Sequence, residues 1–308
     1  MSASIRQIQY IVKVRATGSI AKAARALNMS QSSVLAAINT AEIDVGARIF
    51  DRRKGRGVIV TAAGERYLSA AQTLLVAERE FHANVRASST PASPLRIGCF
   101  APFGPIMIVD VLRKLRSKIG FFEITLLETD QVTLKHALSR GEIDVAVVYD
   151  LGPDFDCSID YIGRASPHAM VHIDSPLAQF DEISISDLCD APISLLDLPQ
   201  TTTYLMMLFE YFGRKPIIGF RSGNYETVIQ AVGAGFGSTV LNIWPPTPMP
   251  FEVNSKRLRL RESLPALNIV AADHYGANKP PNLVSFIEGL KAHIVNSQNT
   301  FRKTKLSR

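Results

Sequence analysis

Ser30, Gln31, Ser32, Ser33, Ala36 and Asn39 stand close together near the amino terminus, and Arg52, Arg53, Lys54 and Arg56 crowd around Gly55 soon after them. Short hydroxyl and amide side chains can exchange hydrogen bonds with base edges without blocking entry into a major groove, while guanidinium groups suit phosphate oxygens. Together these residue types point to nucleic-acid recognition. An enzyme would need a nucleophile with a base, paired acids or a metal set, and the sequence shows none.

The elements that must position these groups follow from the neighbouring apolar pattern. Ile5, Ile8, Ile11 and Val12 fall at helical spacing with Arg6, Lys13 and Arg15 between them, which predicts a helix over about 5 to 17 that Gly18 ends. Ser19 is placed to cap a second helix through Ala23, Ala24 and Leu27, and small alanines let another helix approach closely. After a turn at Asn28-Met29, Ser30 caps a third helix whose buried stripe is Val34, Ile38, Ala41 and Val45. Its other side carries Ser32, Ala36, Asn39 and Thr40. Beyond Gly46, Ile49-Phe50 begins a strand, and the arginine-rich turn leads into Val58-Ile59-Val60 as a wing beside the groove. An αα-hairpin without DNA contact has the same spacing.

Charge separates the two readings. Residues 1–60 hold ten Lys or Arg against Glu42, Asp44 and Asp51, a net of +7, whereas the whole chain is only +6. The basicity is therefore local to the segment that would meet phosphates.

At 308 residues and 46% hydrophobic, the chain is long enough for two further cores. An apolar-striped helix over about 62 to 87, with Leu68, Ala71, Leu74, Leu75, Ala77, Phe81 and Val85, is suited to pairing with a second copy, or to packing on its own domain. A hinge at Ser88-Ser89-Thr90-Pro91-Ala92-Ser93-Pro94 follows. Strands and helices then alternate: strand at Leu95, helix from Pro105 to Ser117, strand from Phe122 to Glu128, helix from Val132 to Arg140, strand from Asp144 to Tyr149. A second lobe over about 165–265 holds a strand at Pro192 to Leu196 and helices over Thr203 to Phe212 and Tyr225 to Gly233. The chain returns through Leu267 to Ala272 and a helix from Leu283 to Val295, leaving a cleft between lobes.

Residues 8–68 resemble the winged helix-turn-helix of LysR-type transcriptional regulators: Gly18-Ser19, Ala23-Ala24, Ser30-Gln31, Gly46, Phe50, Arg52 and the closing Thr61-Ala62-Ala63-Gly64 match its pattern. Ser32, Leu35, Ala41 and Ile49 depart from it. The resemblance covers nearly the whole chain, more loosely after the first part. It implies a multidomain fold: a mainly α winged helix-turn-helix (1–61), a linker and dimerisation helix with hinge (62–90), and a two-lobed α/β effector-binding domain of periplasmic-binding-protein type (91–301). Lobe I would span about 91–164 and 266–301, lobe II about 165–265, with a basic tail at 302–308.

DNA contact is expected at Ser19, Ser30, Gln31, Ser32, Ser33, Leu35, Ala36, Asn39, Arg52, Arg53, Arg56 and Thr61. The resemblance places effector contacts at the strand-to-helix turns facing the cleft, where helix amides favour anions. These are Phe100, Ala101, Pro102 and Phe103, where relatives carry hydroxyls, and Gln200, Thr201, Thr202 and Thr203, which also serve as simple helix caps. Tyr149, Asn224 and Tyr225 complete the lining. Aromatic walls opposite hydroxyls suggest a small organic acid as effector. Promoter duplex, RNA polymerase and further copies of the chain, as homodimer or homotetramer, are the other expected partners. No cofactor and no metal is expected, and the absence of a signal-peptide core or membrane-length apolar run suggests a cytoplasmic protein.

Gly233-Ala234-Gly235-Phe236-Gly237-Ser238 resembles a nucleotide loop but follows a helix and lacks Rossmann spacing, so it reads as a helix end feeding a strand. Trp244-Pro245-Pro246, followed by Pro248, reads as a surface loop, with a role at the lobe interface left open. Cys99, Cys157 and Cys189 are odd in number and widely spaced, which suits buried reduced thiols, with Cys99 placed for redox sensing if any is. Two rival classes stay open at this point: an enzyme using the cleft, and a cytoplasmic small-ligand-binding protein that retains a helical amino terminus.

Overall fold

In the computed structural model, described for residues 3–53, 57–86, 94–151 and 157–303, the first element is α1 (Ile5–Thr17). Ser4 and Gln7 form a reciprocal capping box at its start, and Gly18, at φ 64°, closes it. Helices α2 (Ile20–Ala26) and α3 (Gln31–Val45) follow, capped by Ser19 and Ser30 as the spacing predicts. Ile8, Ile11 and Val14 of α1, Ala23 and Ala24 of α2, and Val34, Ala37, Ile38 and Ala41 of α3 form one small core. Val45, expected in that stripe, is exposed, because α3 ends there at Gly46 and no neighbouring element covers its last turn.

Strands β1 (Phe50–Arg53) and β2 (Gly57–Val60) pair antiparallel, and Glu42 of α3 accepts the amides of Ile49 and Phe50 to fix where β1 enters. The long α4 (Ala62–Arg86) begins under this core, where Leu68 and Ala71 are buried, and leaves it with Leu74 and Phe81 exposed. The turn residues 54–56, the hinge residues 87–93 and the tail residues 304–308 lie outside the described residues.

Strands β3 (Leu95–Phe100), β4 (Ile124–Thr129) and β5 (Val145–Tyr149) are parallel neighbours, with α5 (Val109–Ile119) and α6 (Gln131–Ser139) as crossovers. Strands β6 (Ser158–Ala165) and β13 (Leu267–Asp273) complete a five-stranded sheet in the order β4-β3-β5-β13-β6. The second lobe contains β7 (His168–His172), β8 (Glu182–Ile183), β9 (Ile193–Leu196), α7 (Thr201–Glu210), β10 (Ile218–Ser222), α8 (Tyr225–Gly233), β11 (Thr239–Leu241) and β12 (Ser255–Leu260). Its sheets run β11-β7-β12-β8 and β10-β9, joined by a parallel bridge between Ile193 and Ser238. Helix α9 (Pro281–Lys303) returns to pack on α5 and β6.

Three local expectations are refined. Helix α7 starts at Thr201 and α6 at Gln131, both earlier than the apolar periodicity indicated, because polar first-turn residues carry no periodicity. The glycine-rich stretch after α8 is a helix end feeding β11, with Gly235 and Gly237 at positive φ. Trp244 does not stand clear in a surface loop: its ring lies 4.9 Å from that of His168, and its carbonyl accepts the Ser297 hydroxyl of α9. It touches both lobes, the second of the two roles left open for it.

Candidate functional site

Two regions bring the expected residues together. On the first, α3 turns Gln31, Ser32, Ser33, Ala36 and Asn39 to solvent while Val34, Ala37, Ile38 and Ala41 face the core, so a helical repeat of 3.6 separates reading face from buried face. Leu35 is half-buried at the border of that face. Ser30 is engaged locally, accepting the Ser33 amide at 3.1 Å and sharing hydrogen bonds of 2.8 Å with the Ser32 and Ser33 hydroxyls. Ser19 likewise accepts the Lys22 amide, and Thr61 donates to the Arg48 carbonyl and accepts the Gly64 amide at 2.9 Å. These three expected contacts thus act first as caps that set the angles of α2, α3 and α4. Arg52 and Arg53 enter the description as backbone of β1, and Arg56 lies outside the described residues.

Asp44 and the β1 residue Asp51 are exposed, and three acids of this domain have local partners. Glu42 holds β1, Asp44 accepts the Ala3 amide at 2.7 Å, and Glu65 pairs with Arg15 at 2.7 Å. The exposed face of α3 from Gln31 to Asn39 carries no carboxylate.

The second region lies where the two lobes meet. Phe100 and Phe103 are 1% and 0% exposed, and their rings contact each other at 5.4 Å and Tyr149 at 5.3 and 4.8 Å. The expected aromatic wall is present, but its rings are spent largely on one another. Ala101 ties this turn to β4 by donating to the Thr129 carbonyl, and Pro102 is buried beside it. Gly104 leaves room for Glu128: a Cβ there would fall 1.8 Å from a carboxylate oxygen, and the side chain would have to shift. Burial, and then Glu226 from the other lobe, push the Glu128 carboxyl up.

Gln131, which the sequence reading passed over, ties the region together. Only 4% exposed, it accepts the Tyr149 amide at 2.6 Å through Oε1 and donates from Nε2 to Gln200 Oε1 at 3.1 Å, crossing from lobe I to lobe II. Its one sequence signal is Asp130, which caps α6 by accepting the amides of Val132 and Thr133. Gln200 sits at φ 65°, a sparsely populated conformation for a non-glycine residue, and makes no cap bond to α7. The neighbouring threonines divide: Thr201 is buried with no protein partner for its hydroxyl, Thr202 donates to Asp197 at 2.9 Å, and Thr203 is exposed. Asn224 caps α8 by accepting the Thr227 amide at 2.9 Å.

Tyr225, on the next residue, accepts from Arg257 at 3.1 Å, and Arg257 in turn pairs with Glu252 at 2.6 Å. Arg257 also meets His168 Nε2, so the ring proton of His168 resides on Nδ1. Tyr204 donates to the Pro265 carbonyl and accepts from Asn242, both at 2.8 Å. Burial, with the nearby Tyr204 and Tyr225 phenols, holds the Tyr149 hydroxyl well above the usual tyrosine range, which places the three phenols in one neighbourhood. Tyr204, Arg257, Glu252 and His168 carried no local motif, since they assemble from β7, α7 and the segments around β12. Cys99 is fully buried and its thiol is pushed up to about 12, by burial first and then by Glu128, which disfavours the reactive thiolate.

Among the described residues no three His, Cys, Asp or Glu side chains lie close enough to hold a metal ion, and no helix is long and apolar enough to cross a membrane.

The chain matches two known families in tandem. Residues 5–65 match the bacterial regulatory helix-turn-helix proteins of the lysR family, and residues 88–294 match the LysR substrate binding domain. The transcriptional regulator CbbR of Xanthobacter flavus is 29% identical over 84% of this chain and 78% of its own. A putative LysR family regulator from Pseudomonas aeruginosa, the PA01 protein, superposes with a TM-score of 0.60 at 27% identity, covering 95% of this chain and 99% of that one. CbnR, solved in complex with its target DNA, shares the fold with a TM-score of 0.55 at 21% identity over 94% and 99% of the two chains.

Proposed function

This chain belongs to the LysR family of helix-turn-helix transcriptional regulators, and we propose that it controls a promoter in response to a small organic acid bound between its two lobes. Its matched families and relatives are regulators of transcription, not enzymes. The observation that carries the DNA-reading half is the exposed polar face of α3 from Gln31 to Asn39, free of carboxylates, in a segment holding a net charge of +7. Gln31, Ser32, Ser33 and Asn39 would read base edges, as α3 enters a major groove, and Arg52, Arg53 and Arg56 would hold phosphates beside it. The solved complex of CbnR with its target DNA supports transferring this docking to the present fold.

We read the functional division as a reader over 1–61, a linker helix and hinge over 62–90 and an effector domain over 91–301, a reading that the family matches over 5–65 and 88–294 support. Exposed Leu74 and Phe81 on α4 support pairing of two copies through that helix, and two pairs would make a tetramer that spans two DNA sites. The protein acts where the genome and RNA polymerase are, in the cytoplasm. Between the lobes, the Thr201 hydroxyl and the Gln131 amide would supply donors for a carboxylate.

Two measurements test this reading. A gel shift on the DNA upstream of the protein's own gene should give a complex at low salt that weakens as salt rises; no complex with any promoter fragment sinks the DNA-reading half. A thermal-shift screen of aliphatic and aromatic carboxylates should raise Tm for at least one, since a ligand that prefers the folded state stabilises it. Uniformly unchanged melting sinks the effector class.

A further inference from the structure

Helix α6 runs from the cleft to the linker helix, and a glutamine holds it at each end. At its first residue, Gln131 donates to Gln200 of lobe II at 3.1 Å. At its last, the Ser139 carbonyl accepts Gln72 Nε2 of α4 at 2.7 Å. The final carbonyls of a helix have no donor within it. Here one donor comes from a helix 67 residues earlier in the chain, on the DNA-binding side of the hinge.

The seat for Gln72 is rigid. Gln72 is only 2% exposed, and Gly141, at φ 65°, lies so close that a Cβ there would approach Gln72 Oε1 to 2.8 Å. The Gly141 carbonyl accepts Arg96 Nη1 at 2.7 Å, and Arg96 is held in turn by both oxygens of Asp144. Between the two ends, Leu134, Ala137 and Leu138 are packed against Ile143, Ala146 and Val148 of the lobe I core. Nine residues at 1.5 Å per residue make a strut of about 14 Å.

We propose that α6 couples the cleft to the linker helix, with Gln131 and Gln72 as positioning residues at its two ends, so that displacing Gln200 from Gln131 alters how α4 presents α3 to DNA. This rests on the cleft being the effector site. Gln200 is suited to leave, because its backbone conformation is sparsely populated for a residue with a side chain. Gln131 is not suited to be left: its buried amide donor would be unsatisfied, so the group that replaces Gln200 must bring an acceptor oxygen, a carbonyl or a carboxylate.

A double-mutant cycle on the full chain tests the coupling without a known effector. Gln200→Gly removes the cross-lobe contact and suits the positive φ, and Gln72→Met keeps much of the side-chain volume while removing the donor. The Kd for a fluorescent duplex from the gene's upstream region is measured at fixed salt for the wild type, both single variants and the double variant. Gln200→Gly should shift Kd by about fivefold or more when Gln72 is present, and by less than about twofold when Met stands there. Gln131→Met breaks the same contact from the other side and also the Tyr149 amide bond, so it should lower Tm yet reproduce the result, with a cooperative urea transition showing that each variant is folded. Equal shifts in both backgrounds, or none in either, overturn the coupling while leaving the proposed function standing. Loss of binding by every protein, wild type included, overturns both.

Discussion

The reading face of α3 and the cleft between the lobes are built in opposite ways. On α3, Gln31, Ser32, Ser33, Ala36 and Asn39 come from nine consecutive positions, face solvent, and lean on a core made by other residues of the same helix. At the lobe junction, Phe100, Gln131, Tyr149, Gln200, Tyr204 and Tyr225 come from five separate segments, the ends of β3 and β5 and the starts of α6, α7 and α8, and most are buried and engaged with one another. A surface reader can therefore be altered without touching stability, whereas an alteration near the cleft disturbs the core that holds the lobes.

The largest effect separates binding from folding. Raising salt from about 50 to about 200 mM should lower DNA affinity by about a thousandfold or more, as six or more phosphate contacts in a dimer give up released counterions. Thermal stability should change little over the same range; an affinity insensitive to salt would refute a reader built on local positive charge.

Next comes Arg257→Met, which leaves Glu252 buried and without its 2.6 Å partner. The expected loss is about 3–5 kcal/mol in urea unfolding. A loss below about 1 kcal/mol would mean that the ion pair does not organise lobe II. Gln31→Ala should do the reverse, weakening binding to a cognate duplex by about 1–3 kcal/mol with Tm unchanged.

A pH effect follows from the lobes. Burial pushes His293 below the ordinary imidazole value of 6.5, and burial with the adjacent Arg257 pushes His168 well below it. With the folded value lower than the unfolded one, the unfolded chain binds more protons between them, so this contribution is complete above about pH 6.5 and is lost as pH falls through and below it. Tm should fall on mild acidification, and His168→Gln should flatten part of that slope; an unchanged slope in that variant would count against a neutral buried His168. The smallest effect is a null: Cys99 in native protein should resist alkylation that proceeds readily in urea.

How much could be read from the sequence follows the same division. Ser19, Ser30, Gly18 and Gly46 announce the helix ends of the reader because capping acts over three or four residues, and the structure puts them there. Val45 misled, since periodicity marks a face without saying where the opposing surface stops. In the effector domain the alternation of strands and helices was legible, as was the exact span of α8 at Tyr225–Gly233, where Asn224 caps a strongly apolar run. Gln131 was not, because nothing local distinguishes an amide that bonds across a cleft from one that faces water. The same holds for Gln72, which looks like a polar interruption in the linker stripe until Ser139 is brought beside it.

The helix ends of the reader, the inward and outward faces of α3, the concentration of positive charge and the order of strands and helices were properties of the sequence alone, since each depends on residues within one or two turns. Which side chains meet at the lobe junction, that Phe100 and Phe103 are covered, that Gln131 is shared between lobes and that Gln72 terminates a distant helix were decided by the tertiary structure. Those contacts join residues dozens of positions apart, and only the packing of the sheets determines which polar groups are buried and which must then find partners.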